Sequence, residues 1–512
     1  MKKSLVAVSV VVALGAVWTG ASWYTGKALE SRLDSFIKKA NTELAKSLPE
    51  SGIEWQAKDF KRGIFSSDVR FILTIKNGVK NADISPNEEI IFKSTIDHGP
   101  FPLASLKTFS LIPKMASIHS ELEQSDALKA LFDFTNGKSL FSLDAKVGYG
   151  GAISTHVDLI PINHTETKKN GEQRVLSFSG AKISAETNRD LSAFSFAVKS
   201  DELSFSDPTK QESIALKGID FKGDNKKGKF DIYIGDQSYN VGEFSMNGIP
   251  NEPNMSLKGI KVTSNLGEDK DDLNIKVAYG VNGVKIKDIE FGSGQLALGM
   301  EKLDGQSVRK FTQAYNDATE AALTTDGSSY DTAALAVLSN LHLLLNNDPQ
   351  FSISPFNWKN SKGESLIDFK LSLQNIPEDK KALNQMEPEE MVRTLVQGLS
   401  LNVNISKAML IESIVQSEML DGKDKDAAEA KAKLQVQMVA QEGVKHKILT
   451  DENGIIGLDF HYANDKVKLN NKESSLHQFL LDNGLAGTYD GEQNQHDDES
   501  DAELPAVKSE VK

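Results

Sequence analysis

The 512-residue chain contains no cysteine. That excludes disulfides, thiolate nucleophiles, iron–sulfur clusters and cysteine-type zinc sites together, and leaves the redox character of its compartment open. Recognisable catalytic signatures are equally missing. The histidines, at 98, 119, 156, 164, 342, 446, 461, 477 and 496, include no pair at helical ligand spacing and no His-Glu-x-x-His, so no metal ligands are assigned. There is no Gly-x-Ser-x-Gly elbow and no Gly-x-x-x-x-Gly-Lys-Ser/Thr loop, and with them go the common hydrolase and nucleotide-binding signatures. No catalytic and no cofactor-binding residue is read, and the chain is expected not to be an enzyme. Basic stretches interleaved with aromatics are absent and the formal net charge is −14, which argues against nucleic acid as a partner. Eight acidic residues against two lysines in 485–512 supply −6 of that charge, leaving −8 on the body.

One long uncharged run is present. Ser4 to Gly26 follows Lys2 and Lys3, and as a helix those residues reach about 34 Å at about 1.5 Å each, enough for a hydrocarbon core of roughly 30 Å. Trp18, Trp23 and Tyr24 stand where an interfacial aromatic belt belongs, and the lysines keep the N-terminus cytoplasmic. A cleaved signal peptide ending near Thr19-Gly20-Ala21 is the competing reading. Leu29, Leu33, Phe36, Ile37, Ala40, Leu44 and Leu48 then continue at helical spacing. A helix running out of an uncleaved span is expected, its apolar stripe packing on its own domain or on another copy, so a homo-oligomer is among the expectations.

Beyond Pro49 the apolar period becomes two. Ile53 to Phe60 and the alternation Val69, Phe71, Leu73, Ile75 predict strands, with a hairpin turn at Asn77-Gly78. Between 140 and 300 the same grammar recurs at Phe194, Phe196, Val198; Leu203, Phe205; Phe230, Ile232, Ile234; and Ile275, Val277, Tyr279. Gly223-Asp224-Asn225, Asn247-Gly248 and Asn282-Gly283 read as the turns between them. Leu216-Lys217-Gly218-Ile219 returns as Leu257-Lys258-Gly259-Ile260 and more faintly as Ile286-Lys287-Asp288-Ile289, which suggests a repeated sheet unit. Helices are predicted near 120–134, 306–323, 331–346, 388–399, 405–420 and 426–442, a strand at Ile367 to Leu373, a hairpin at Ile455 to Leu469 and a short helix at Ser474 to Leu481. The fold class is α+β: an N-terminal transmembrane helix, then a β-rich, mainly antiparallel domain with interspersed helices. Its parts are a cytoplasmic stub and anchor (1–26), an amphipathic connector helix (27–49), the β-rich domain (50–484, with a subdivision allowed near 300–330) and a disordered acidic tail (485–512).

Three stretches carry a resemblance. Arg62-Gly63-Ile64-Phe65-Ser66-Ser67 precedes an alternating strand, His98-Gly99-Pro100 follows one, and Phe460-His461-Tyr462 leads through Val467 to Asn470-Asn471-Lys472. In order and spacing the set resembles the YdgA-like family of bacterial inner-membrane proteins. Where that family tends to have glycine in the last hairpin, this chain has Asp465 and Asn471, the residue types that most readily replace it in left-handed backbone. The resemblance implies a single span in the bacterial inner membrane with the bulk of the chain periplasmic. It implies no activity and no catalytic residue. The residues themselves read as turns: His98 as a ring bonded to local backbone, and Arg62 to Ser67 as a turn into a strand, a ligand loop being the alternative.

The alternating phenylalanines admit two readings. Phe196, Phe205, Ile232 and Val277 either belong to an ordinary core face or wall an apolar groove for lipid, as a looser likeness to AsmA-like envelope proteins suggests. Alternation buries every second residue in both cases. The expected function is a non-enzymatic envelope protein, held in the bilayer by residues 4–26, that binds or scaffolds a partner. Apolar cargo in a β groove is the alternative, an uncharacterised periplasmic hydrolase the next.

Overall fold

A computed structural model describes residues 18–31, 33–35, 37–38, 40–42, 52–76, 87–107, 109–126, 128–324, 339–345, 347–374 and 386–485. Its body is one antiparallel sheet of 22 strands in which chain neighbours pair almost throughout. The first part holds β1 (Ile53–Arg62), β2 (Ser66–Ile75), β3 (Glu88–His98), β4 (Ala116–Leu122), β5 (Phe141–Val147) and β6 (Ile153–Leu159). A long hairpin follows, in which β6 continues as β7 (Ile162–Thr167), and β8 (Gln173–Phe178) returns as β9 (Ala181–Thr187). The widest strands come next: β10 (Ala193–Asp207), β11 (Glu212–Lys227), β12 (Tyr233–Asn247), β13 (Met255–Asp269), β14 (Asp272–Ile286) and β15 (Ile289–Asp304). The sheet closes with β16 (Gln350–Asn360), β17 (Gly363–Leu373), β18 (Val396–Ser406), β19 (Thr450–Glu452), β20 (Ile455–Ala463), β21 (Lys466–Leu469) and β22 (Lys472–Ser475). Since β15 pairs with β16, the sheet runs unbroken past residues 300–330.

Helices sit at the margins. Helix α1 covers the helical residues between 18 and 42, and α2 (Leu103–Lys107) and α3 (Lys129–Phe134) follow it. Next come α4 (Gly305–Thr324), α5 (Pro388–Leu395), α6 (Lys407–Leu420), α7 (Lys425–Lys445) and α8 (Leu476–Asp482). Ser406 and Asp424 accept backbone N–H bonds at the starts of α6 and α7, which relieves the unpaired amides of a helix N-terminus. Among the described residues the buried side chains gather in five clusters, two of which share Ile411 and Ile414. One lies under α1, where Leu33, with Leu29 packed beside it, joins Val69, Ile96 and Ala116. Another joins Phe230, Ile234, Leu273 and Leu303 to Val308 of α4 and to Leu344. A third gathers Tyr462, Val467, Leu476 and Leu480 at the last hairpin and α8.

A crease crosses the sheet. Bridges lapse at Asp201 opposite Gly218, Gly218 opposite Gly242, and Gly242 opposite Gly259, yet the register on either side is unchanged. In the neighbouring hairpin the same line falls at Ile160-Pro161 and Ser179-Gly180. Gly218 (φ 64°) and Gly259 (φ 59°) occupy left-handed backbone, which suits glycine and interrupts the period-two alternation of a strand. The apolar phase slips by one residue there, from Leu216 to Ile219 and from Leu257 to Ile260. That slip explains why the tetrapeptide occurs twice. Its third occurrence has another role: Lys287 (φ 53°) and Asp288 turn β14 into β15.

Several expectations need correction. Gly223-Asp224-Asn225 lies inside β11 and Asn282-Gly283 inside β14, while Asn247-Gly248 does end β12. Room, not turning, is what Gly223 supplies, because the Phe196 ring lies where its Cβ would be, 2.3 Å away. Phe230 to Ile232 precedes β12 and enters a core. Residues 120–122 and 396–399 are strand where helix was expected. No helix among the described residues is long and apolar enough to cross a membrane. Residues 4–17 of the expected anchor, Asn77-Gly78, the segment 331–338 and the tail from 486 lie outside the described residues.

Candidate functional site: the apolar face of the sheet

Antiparallel pairing brings directly opposed side chains to one face. Following those pairs from β2 gives a single row: Val69, Ser94, Ser120, Leu143, Val157, Ile183, Val198, Phe221, Tyr239, Val262, Tyr279, Leu296, Phe356, Ile367, Val403, Leu458. The two serines satisfy each other at 2.6 Å. At about 4.8 Å per strand this row traces roughly 70 Å along the sheet. Its neighbour runs Ile96, Ile118, Ala145, Thr155, Ala185, Phe196, Gly223, Gln237, Ser264, Val277, Leu298 and Ile353, apolar at both ends and mixed in between. Helices cover both ends, α1 over Val69 and Ile96, and α5 and α8 near Leu399 and Phe460. The centre is open: Tyr279, Phe356 and Leu298 are 46%, 40% and 36% exposed.

Of the four residues expected in a groove, Phe196 and Val277 share that second row. Phe205 stands beyond the crease and is 54% exposed. Ile232 is a correction, because it packs against the closed cluster of Phe230 and Leu273, where α4 covers the sheet. The rows of opposite parity are polar. One runs Asp68, Thr95, His119, Asp144, His156, Ser184, Ala197, Lys222, Ser238, Thr263, Ala278 and Ala297. A cavity of about 870 Å³ is lined by this row, by the parallel one through Ser195, Asp224, Asp236 and Asn265, and by Phe196, Val277 and Leu298 of the row between them. Among the described residues no group of three or more His, Cys, Asp or Glu is placed to hold a metal ion.

Two of the three sequence motifs meet under α1. The Gly63 N–H donates to the Ser66 carbonyl at 2.7 Å, and a Cβ on Gly63 would press to 2.8 Å from that oxygen. Phe65 stacks on Trp18 at 4.7 Å, Arg62 pairs with Glu30 at 3.0 Å, and the His98 N–H bonds the Phe65 carbonyl. The His98 ring is 1% exposed; its Nδ1 lies 3.2 Å from the Ile64 carbonyl and its Nε2 2.8 Å from Ser67 Oγ. Burial lowers its pKa, more than the Ile64 carbonyl and Asp97 raise it. Gly26 of α1 lies directly over this ring, so close that a Cβ there would come within 2.3 Å. Gly99 is crowded against the Lys114 carbonyl, and the Pro100 carbonyl accepts the Lys114 N–H at 2.9 Å. These residues form a socket for α1.

The third motif lies apart, at the last hairpin. Asn470 accepts the Asp459 N–H and donates to the Ile448 carbonyl, while Tyr462 is buried beside Val467. Asp465 (φ 62°) and Asn471 (φ 68°) both take left-handed backbone. Sequence reading missed as socket residues Trp18, Gly26 and, between them, the fully buried Ser22, whose backbone also bonds the His98 ring. Their spacing of four was the available signal, masked by the apolar run around them.

Comparison with known proteins agrees with the family read from the motifs. Over 491 residues the chain is 32% identical to Protein YdgA of Escherichia coli (strain K12), covering 94% of this chain and 96% of that one. Against the uncharacterized protein YihF of the same strain it is 24% identical over 483 residues, 93% of this chain and 97% of the other. An uncharacterized protein of Haemophilus influenzae is 27% identical over 257 residues, 48% of this chain and 66% of its own. No solved structure matches the chain. A family profile described as a bacterial protein of unknown function, DUF945, matches residues 1–477, and the chain belongs to that family.

Proposed function

We propose that this protein is a bacterial envelope protein, tethered to the inner membrane by the apolar run that precedes α1, whose sheet carries apolar chains, acyl chains of lipids above all, along its apolar face. The observation that supports this reading is the long row, apolar from Leu143 to Leu458, with an uncovered centre. Soluble proteins rarely leave contiguous apolar patches beyond a few hundred Å². Water against Tyr279, Leu298 and Phe356 is costly, and burial under an acyl chain recovers roughly 25 cal/mol per Å². Helix α1 favours a lipid over a protein occupant. It lies on this face, and its sequence leads back into the apolar run that would sit in the bilayer, so the row begins where acyl chains are at hand.

Photocrosslinkers placed singly at Tyr279, Leu298 and Phe356 in intact cells test this. Lipid adducts are expected. Adducts with another protein would replace the carrier reading by a scaffold that uses the same face, and adducts only within the chain would remove both.

A further inference from the structure

Beyond the crease the apolar field ends in a second cavity, of about 400 Å³, within the roughly 300–1,000 Å³ typical of small-molecule sites. Its floor holds Phe205, Ile214 and Phe134, all three substantially exposed. Its rim holds Arg174, Glu166 and Glu212. Glu166 and Arg174 stand directly opposite each other on β7 and β8, yet among the described residues none of the three makes an ion pair. Their charged neighbours are occupied: Glu172 is bound by Lys210 at 3.0 Å and Lys168 at 3.2 Å, which hold its carboxyl down at about 2. Asp207 takes the Thr209 and Lys210 N–H groups. An apolar floor therefore adjoins a cation and two carboxylates that make no ion pair among the described residues, Glu212 acting on Lys210 only through its charge at longer range.

We infer that this cavity binds the headgroup of a zwitterionic amphiphile, its phosphate on Arg174, its ammonium between Glu166 and Glu212, and the start of its acyl chain over Phe205. An anionic headgroup would satisfy the guanidinium and leave two carboxylates facing it; a cationic one would leave the guanidinium unanswered. A dipolar headgroup matches both signs, and planar Arg suits phosphate. The inference rests on the reading of the sheet as a carrier of apolar chains and names the headgroup class.

The test uses the full chain in detergent, exchanged against equimolar phosphatidylethanolamine and phosphatidylglycerol, with retained lipid counted by native mass spectrometry. Phosphatidylethanolamine is expected to be retained over phosphatidylglycerol by about tenfold, one charge-assisted contact's worth, a preference that Arg174→Ala should leave in place while it lowers retention of both lipids, because both present a phosphate. Glu166→Gln with Glu212→Gln should instead shift it toward phosphatidylglycerol. Glu166 and Arg174 are exposed and Glu212 is half-buried, so unchanged melting curves are expected of the variants. Equal retention of both lipids, a ratio unmoved by the glutamate substitutions, or a total unmoved by Arg174→Ala overturns the headgroup site. If total retention then still falls in Tyr279→Asp, acyl binding on the open face stands alone; if neither lipid is retained at all, both readings fall.

Discussion

The end and the centre of one row live in different environments. At Val69 the row is 2% exposed beneath α1, and at Tyr279 it is 46% exposed, with no helix among the described residues packed on it. Strand pairing and side-chain alternation are the same in both places, so neither decides which part is core. Cover decides. Residues packed under a helix stabilise the fold, whereas the same residue types left open are available to a ligand.

Aspartate substitution probes that contrast most strongly. Val69→Asp would bury an unpaired carboxylate under α1, and a loss of several kcal/mol is expected. Tyr279→Asp can be solvated and should cost less than about 1 kcal/mol. Denaturant unfolding of both variants measures the gap, and equal losses would mean that the centre is covered too. The socket gives the next effect. Gly26→Leu drives a side chain into the His98 ring, for which overpacking costs of about 1–3 kcal/mol are usual. Shortening His98 in the same background, by His98→Ala, should recover part of that loss, whereas no recovery would mean that α1 docks elsewhere.

A smaller effect separates the crease from the field beside it. Gly218 is left-handed, so Gly218→Ala should destabilise by about 1–2 kcal/mol. Gly280, on β14 in ordinary backbone, has no atom nearer than 4.0 Å to the place a Cβ would take, and Gly280→Ala should be neutral or stabilise by about 0.4–1 kcal/mol. Equal shifts in melting temperature would show that the crease does not need its glycine.

How much of this was legible follows from the range of each interaction. Strands such as Val69 to Ile75 and Ile367 to Leu373 were readable because alternation is local, and the turns at Asp465 and Asn471 because left-handed preference belongs to one residue. Gly223 and Asn282 misled for the converse reason. Their residue types also serve inside strands, Gly223 to admit the Phe196 ring and Asn282 to face Gly259. Register was not legible at all. It couples residues far apart in the chain, and only register places Val69, Tyr279 and Phe356 in one row or brings Arg174 opposite Glu166. The socket was half legible: Gly63 and His98 stood out as turn residues, but nothing local tied them to Gly26.

The smallest predicted effect compares a covered and an open histidine. His98, under α1, has its pKa lowered by burial, while the exposed His119 has its own raised by the Asp144 carboxylate at 2.9 Å and further by Glu121. The signs of their pH dependence are therefore opposite. For His98 the unfolded chain holds the proton more tightly. Its contribution is complete above the ordinary histidine value of about 6.5 and is lost as pH falls from there toward the folded value. For His119 the folded chain holds the proton more tightly, so its contribution is complete below about 6.5 and is lost as pH rises through the folded value. His119 is half exposed, and solvent screening makes its share slight. Melting curves of the full chain should show His119→Gln flattening the decline on the alkaline side alone. In His98→Gln the fall between neutral and mildly acid pH should shrink, because an amide cannot take up the proton. A His119→Gln effect on the acid side would mean that Asp144 is not its partner in solution, and an unchanged acid limb in His98→Gln would mean that α1 already leaves its socket at neutral pH.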